Sequence, residues 1–300
     1  MNKKLFIIGT LVSVLVISAV GYWSITNLAK PDKLELDSEQ EERAEETVVN
    51  NVTSEVIGRS VIGRDISVTS FGNGEKHLLF VGGIHGGYEW NSALLAYQMI
   101  DYLTNNPELI PADIKISIIP NLNPDGIFTV TGIDGKFSLS NVKDTEQRVA
   151  AARFNANKVD LNRNFACKWT ATSTWRGEEV SAGTAAFSEP ETIALRDFVA
   201  KNEPTAVVFW HSQADNVYGS ECEEGILADT ITLMKTYAGS AGYGEVEKFD
   251  AYPITGDAEG WLASIGIPAV TVELKTYNST EWPKNLAGTM AVIKQYSTAK

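Results

Sequence analysis

Histidine is scarce in this chain, three residues in 300, and two of the three stand where apolar runs meet polar residues. The stretch "GGIHGGYEWN" (Gly82 to Asn91) closes the apolar run "LLFV" with glycines, then places His85 four positions before Glu89. Glycines after a buried strand let the chain turn sharply and let another group come close. An imidazole and a carboxylate at that separation can aim at one point. His211 ends a second apolar run, "AVVFW". Glu273 sits inside a third, "IPAVTVEL", where a charge needs a reason to be. Two histidines and one glutamate with a fourth position open form a catalytic zinc set, since zinc accepts imidazole nitrogen and carboxylate oxygen. No cysteine spacing of zinc type exists, so a metal site here must use histidine and carboxylate. The third histidine, His77, precedes its strand and reads as a surface or strand-edge residue.

Something must bring these residues together. "EVIGRSVIGRDISVTSFG" reads as a hairpin, and "KHLLFVGGIH", "DIKISIIP", "TAVVFWHSQ" and "IPAVTVELKT" read as strands. Between them, "NSALLAYQMIDYLTNN", "SEPETIALRDFVAKN", "GILADTITLMKTYAGSAG" and "PKNLAGTMAVIKQYS" carry helical spacing. Asn91 is the expected N-cap of the first helix and Ser188 of the second, while "NPDG" reads as a turn. Alternating strands and helices predict an α/β fold: a mixed, largely parallel central sheet with helices on both faces. Ligands of such sheets bind beyond the carboxyl ends of strands. His85, Asn123, Asp125 and His211 all come after strands, and Glu273 lies within one.

Beyond those residues the likeness becomes specific. The chain resembles the zinc metallocarboxypeptidases, the carboxypeptidase A-like exopeptidases, through motifs in order from "GRSVIGRDI" to "VELKT". They are "IHGGYEW", "PNLNPDG", "RFNANKVDLNRNF", "AFSEPET", "WHSQ", "YPITGDAEGW" and "TVEL". The resemblance implies one zinc ion held by His85, Glu89 and His211. It implies that Glu273 takes a proton from the attacking water and returns it to the leaving amine. Asn162 and Arg163 match the residues that bind a terminal carboxylate, Arg153 the oxyanion-stabilising arginine, and Tyr252 the tyrosine that closes over the substrate. Glu259 falls near the position lining the pocket for the terminal side chain. An acid there favours lysine, arginine or diaminopimelate; Asp257 is the alternative, and a solvated acidic loop is the other reading. Asn123 and Asp125 are expected to serve the turn and to support the site from behind rather than to bind metal. Two departures stand out. His85 and Glu89 are separated by three residues instead of two, and Tyr88 replaces an arginine.

The expected reaction is removal of the C-terminal residue of a peptide. Rival readings are a cell-wall peptide amidase or N-acyl amino acid deacylase of the same superfamily, and a non-catalytic peptide-binding module. The net charge of −13 argues against a nucleic-acid partner. The expected partner is a peptide or cell-wall peptide, with the protein a monomer.

Residues 1–29 carry Lys3 and Lys4 ahead of an uncharged apolar run, Leu5 to Ala29, with Tyr22 and Trp23 placed as interfacial aromatics. That length suits a membrane anchor, with cleavage as a signal segment the alternative. Residues 30–52 read as an acidic flexible linker and 53–300 as the catalytic domain. The domain is expected outside the membrane, anchored or secreted. Synthesis without a long inhibitory pro-segment is expected. "NVT" at Asn51 and "NST" at Asn278 fit glycosylation acceptors. Cys167 and Cys222 either pair or stay as buried thiols.

Overall fold

The computed structural model describes residues 51–143, 150–249 and 252–298. The expected anchor and nearly all of the expected linker lie outside them. No helix among the described residues is long and apolar enough to cross a membrane.

Eight strands build the main sheet: β1 (Val52–Arg59), β2 (Asp65–Phe71), β3 (Lys76–Val81), β4 (Ile114–Ile119), β7 (Ala206–Ser212), β8 (Asn216–Gly219), β11 (Gly244–Val246) and β12 (Ala269–Leu274). Across the sheet they stand in the order β1-β2-β4-β3-β7-β12-β8-β11. The central four, β4-β3-β7-β12, run parallel. At one edge β2 pairs antiparallel with β4 and forms the expected hairpin with β1. At the other, β8 lies antiparallel to β12 and parallel to β11. The sheet is mixed and largely parallel, as expected.

The central strands are apolar without alternation because both faces are covered. Side chains of a strand point alternately to its two faces. Leu78 and Phe80 of β3, with Val208 and Trp210 of β7, therefore pack on one side against α1 (Trp90–Asn105), α4 (Ala228–Ala241) and α6 (Trp282–Tyr296). Leu79, Val81, Val207 and Phe209 pack on the other against α3 (Pro190–Asn202) and α5 (Ala258–Ser264). Under the first layer, Trp210 Nε1 donates to Tyr237 Oη at 2.9 Å and that hydroxyl donates to Asn285 Oδ1 at 2.8 Å. These hydrogen bonds join the buried Trp210, Tyr237 and Asn285 side chains of β7, α4 and α6.

Several local readings are corrected. α1 starts one residue before Asn91, whose amide instead donates to Thr276 O and Ser279 O and accepts from Ser212 Oγ. It ties the start of a helix to the loop after β12. "NPDG" opens a short helix, α2 (Pro124–Thr131), with Asn123 as its N-cap and Pro124 in its first turn, where a missing N–H costs nothing. Glu189, not Ser188, precedes α3. His77 is buried, 4% exposed, its Nε2 2.7 Å from Ser117 Oγ and its Nδ1 3.3 Å from Asn202 O. β3 is an interior strand, so its start is flanked on both sides. Cys167 and Cys222 form a disulfide with Cα atoms 6.0 Å apart. A second hairpin, β5 (Thr172–Trp175) with β6 (Glu178–Ser181), lacks any counterpart in the sequence reading. A smaller one joins β9 (Glu221–Cys222) to β10 (Gly225–Ile226).

Candidate metal centre and active site

The carboxyl ends of β3, β7 and β12 open onto one cavity of about 880 Å³. Chain direction explains this: three neighbouring parallel strands end on the same side, and polar residues continue the chain from each end.

After β3 the chain turns through Gly82–Gly83, presents His85, and enters a 3-10 turn, Gly86–Glu89, that leads into α1. Gly86 has φ +48°, and a Cβ there would stand 2.6 Å from Ala152 O. Only glycine lets the segment before Arg153 come this close. The extra residue between His85 and Glu89 is taken up by the 3-10 turn, which brings His85 Nδ1 to 2.8 Å from Glu89 Oε1. His211 arrives from β7 with its Nδ1 3.1 Å from Glu89 Oε2 and 3.2 Å from His85 Nδ1. Ser212 N donates to Glu89 Oε2 at 3.1 Å and fixes the carboxylate from behind.

These ligand atoms fit zinc. At bonds of 2.0–2.1 Å a tetrahedral ion sets its ligands about 3.3 Å apart, close to the separations present. Two imidazole nitrogens facing each other in a buried place cannot both keep protons or both keep lone pairs without cost, and a cation between them removes the conflict. The surrounding field favours positive charge. Burial opposes a charge on His211, yet the carboxylates of Glu89 and Glu259 raise its pKa to about 10. Burial likewise pushes Glu89 up, and the two imidazoles more than offset it, holding Glu89 well below the usual carboxylate range.

Glu273 enters from β12, in register with His211 on β7. Burial pushes its carboxyl up to about 8, with Glu89's charge adding and His211 and Arg153 pulling the other way. Its Oε2 is buried without a hydrogen bond among the described residues. A cation at the ligand cluster would draw that pKa down and leave a base facing the cavity.

The cationic wall comes from "RFNANKVDLNRNF". Arg153, 3% exposed, donates from Nε to Asp160 Oδ2 at 2.9 Å and stands 3.6 Å from Glu89 Oε1. Its guanidinium lies 4.6 Å from the centre of the Trp175 ring. Asp160 caps a 3-10 turn, Leu161–Arg163, that carries Asn162 and Arg163 to the cavity. Burial would raise the Asp160 carboxyl, and Arg153 leads the charges that hold it far below its ordinary range. Arg163 is buried, donates from Nη1 to Asn162 O at 2.6 Å, and keeps Nε without a hydrogen bond among the described residues. Gly256, φ +70°, must be glycine because a Cβ would meet Arg163 O at 2.1 Å. Tyr252 lines the cavity, its ring 4.8 Å from that of Phe249.

Glu259 and Asp257 lie at the start of α5 and line the same cavity. Glu259 is 3% exposed, which removes the reading as a solvated acidic loop. Burial and the nearby Glu259 push Asp257 up to about 6. Asn123 and Asp125 are apart from the ligands: Asn123 Nδ2 donates to Arg153 O at 3.2 Å, and Asp125 binds Ser60, Ile62 and Arg64. All nine expected site residues line this one cavity. Sequence reasoning missed Asp160, Trp175 and Tyr277. Asp160, two positions before Asn162, carried the signal of a capping aspartate.

Comparison with known proteins agrees. The zinc carboxypeptidase family profile matches residues 41–282. A gamma-D-glutamyl-L-diamino acid endopeptidase 1 of Lysinibacillus sphaericus is 26% identical over 73% of this chain and 59% of its own length. Carboxypeptidase B of Helicoverpa zea is 27% identical over 78% of this chain and 58% of its own. The chain thus spans about three fifths of these relatives. Among solved structures, the Helicoverpa armigera carboxypeptidase A superposes with a TM-score of 0.65 at 20% identity, covering 82% of this chain and 70% of that one. The Escherichia coli O157 murein-tripeptide amidase MpaA does so with 0.58 at 22%, covering 82% and 93%. At these identities the superpositions speak for the fold. The profile match spans most of the chain, and the protein belongs to the zinc carboxypeptidase family of metallopeptidases.

Proposed function

We propose that the protein is a metallocarboxypeptidase that releases a C-terminal residue with a cationic side chain. The observation that carries this is the convergence of His85, Glu89 and His211 in a cavity that also holds Glu273 and the buried guanidiniums of Arg153 and Arg163. Bound zinc lowers the pKa of water to about 7 and polarises a carbonyl. Glu273 takes one proton from the attacking water as its oxygen bonds to the scissile carbon. It then gives that proton to the leaving nitrogen as the C–N bond breaks, yielding a carboxylic acid and an amine, and the acid's remaining proton passes to the amine to leave a carboxylate and an ammonium. Arg163 and Asn162 bind the terminal carboxylate, which sets the reaction at a chain end. Arg153 faces the charge developing on the carbonyl oxygen; such donors supply about 3 kcal/mol. Tyr252 covers the substrate end. Asp257 and Glu259 line the acidic inner wall, and Asp257 is the acid that suits a side-chain ammonium.

A second reading is supported by that acidic wall and by what the relatives are named for. A diamino acid carries an ammonium on its side chain, and the Lysinibacillus enzyme is named for a gamma-D-glutamyl-L-diamino acid bond. A cell-wall peptide ending in such a residue is the natural form of this substrate. A location outside the membrane agrees with the Cys167–Cys222 disulfide, which persists in oxidising compartments.

The test is mass spectrometry of products from peptides ending in Lys, Phe or Glu and from L-Ala-γ-D-Glu-meso-diaminopimelate. Loss of terminal Lys well ahead of Phe and Glu is expected. Equal rates, or a preference for Glu, would remove the cationic pocket. Internal cleavage without shortening at the carboxyl end would remove the exopeptidase reading. Turnover of the cell-wall peptide alone would favour the second reading.

A further inference from the structure

Each ligand imidazole has a carboxylate behind it. Behind His85 stands Asp160, Oδ1 3.5 Å from Nε2. Behind His211 stands Glu259, Oε1 3.3 Å from Nε2. His211 turns Nδ1 towards Glu89 and His85, so a neutral His211 serving as ligand carries its proton on Nε2. That nitrogen is buried and makes no aligned hydrogen bond among the described residues. A buried N–H needs an acceptor, and the carboxylate oxygen within reach is that of Glu259. Glu259 is anchored in turn: Thr271 Oγ1 donates to the same oxygen at 2.8 Å. Thr271 lies on β12 two residues before Glu273, hence on the same face of the strand. The run Thr271–Glu259–His211 thus links the strand that bears Glu273 to the ligand on the neighbouring strand. Both contacts fall on Oε1, so that oxygen is already engaged by His211 and Thr271.

We propose that Glu259 is a positioning residue for His211: it accepts the Nε2 proton, selects the tautomer that leaves Nδ1 free for the metal, and fixes the ring. This rests on His211 being a ligand, and it assigns the cationic preference to Asp257. Partners of this kind are worth roughly 10–100-fold in metal affinity.

The experiment measures the zinc dissociation constant of the full chain by competition with a chelator, with the melting temperature of each metal-free protein alongside. Glu259→Leu, which removes the acceptor, is expected to weaken zinc binding about 100-fold and Glu259→Gln, which keeps an acceptor without charge, about 10-fold. Thr271→Val, which removes only the anchor, should weaken it about fivefold. The Lys-to-Phe selectivity should stay unchanged in Glu259→Gln and fall in Asp257→Asn, whose zinc affinity stays that of the parent. Should the Leu variant melt lower, the volume-conserving Gln and Val variants carry the test. Glu259→Gln binding zinc as tightly as the parent while losing Lys selectivity overturns the proposal and makes Glu259 the specificity residue. If His211→Ala leaves zinc affinity untouched, the metal centre itself fails, which is a different result.

Discussion

Glu273 is separable from the metal ligands by geometry, and that makes its role testable without disturbing theirs. It comes from β12, whereas the ligand trio comes from the ends of β3 and β7 and the turn before α1. Gln at this position keeps shape and packing but accepts no proton at neutral pH. Glu273→Gln is expected to bind zinc in full and to lose turnover by about 10²–10⁴-fold. Parallel metal analysis and rate measurement check this, and a variant with parental turnover removes Glu273 as the base. The residues most legible in the sequence were those whose type is rare in its surroundings. A histidine ending "LLFVGGI" and a glutamate inside "AVTVEL" stand out against apolar neighbours. Asp160 did not, because an aspartate among asparagines looks like turn chemistry. Only its burial at 0% exposure beside Arg153 shows its second task.

β3 contributes more than a route to His85. At its start, His77 is buried between Ser117 of β4 and Asn202 at the end of α3. Burial lowers its pKa to about 4; the Asn202 carbonyl opposes this, and Lys115 adds to it. In the unfolded chain the imidazole takes a proton near pH 6.5, while the folded chain resists until about pH 4. The unfolded state therefore binds more protons across that window, so stability falls as pH drops from 6.5 towards 4, by about 3 kcal/mol from this group alone. Urea unfolding at about pH 7.5 and about pH 5 should show the loss in the parent and a smaller loss in His77→Gln. Equal losses would mean that carboxylates, not His77, govern the acid limb. The strand itself was evident from "HLLFV". The histidine's burial was not, because depth within a sheet depends on strand order, and β3 became interior only when β4 and β7 took places on either side. The β5–β6 hairpin went unseen for a related reason: its strands are short and polar, and "RGEE" offers only Gly177, φ +85°, as a turn signal. Helix starts were misjudged by a residue where a side chain with capping chemistry was used for tertiary contact instead, as Asn91 is.

Across the whole molecule, the cavity walls come from segments far apart in sequence, and the described disulfide joins two of them. Cys167 comes just after the segment that carries Asn162 and Arg163, and Cys222 lies in the β9–β10 hairpin, 55 residues on. The backbone near Cys167 is also paired with the loop beyond Tyr252: Phe165 N donates to Gly256 O at 2.8 Å and Gly256 N to Cys167 O at 2.7 Å. The disulfide and these two hydrogen bonds together tie the turn that bears Asn162 and Arg163, the loop beyond Tyr252 and the β9–β10 wall into one unit. None of the metal ligands belongs to that unit. Closing a loop of this length restricts the unfolded chain by about 4 kcal/mol in the entropic account. For a domain of this size that corresponds to roughly 10 °C in melting temperature. The Cys167→Ala, Cys222→Ala double variant should melt lower by about that much, bind zinc as the parent does, and show a KM raised more than kcat is lowered. Calorimetry, chelator competition and steady-state kinetics read the three separately. A double variant with an unchanged melting temperature and KM would mean that packing between the loops, not the cross-link, shapes the substrate wall; lost zinc affinity would mean that the wall and the metal ligands are coupled after all.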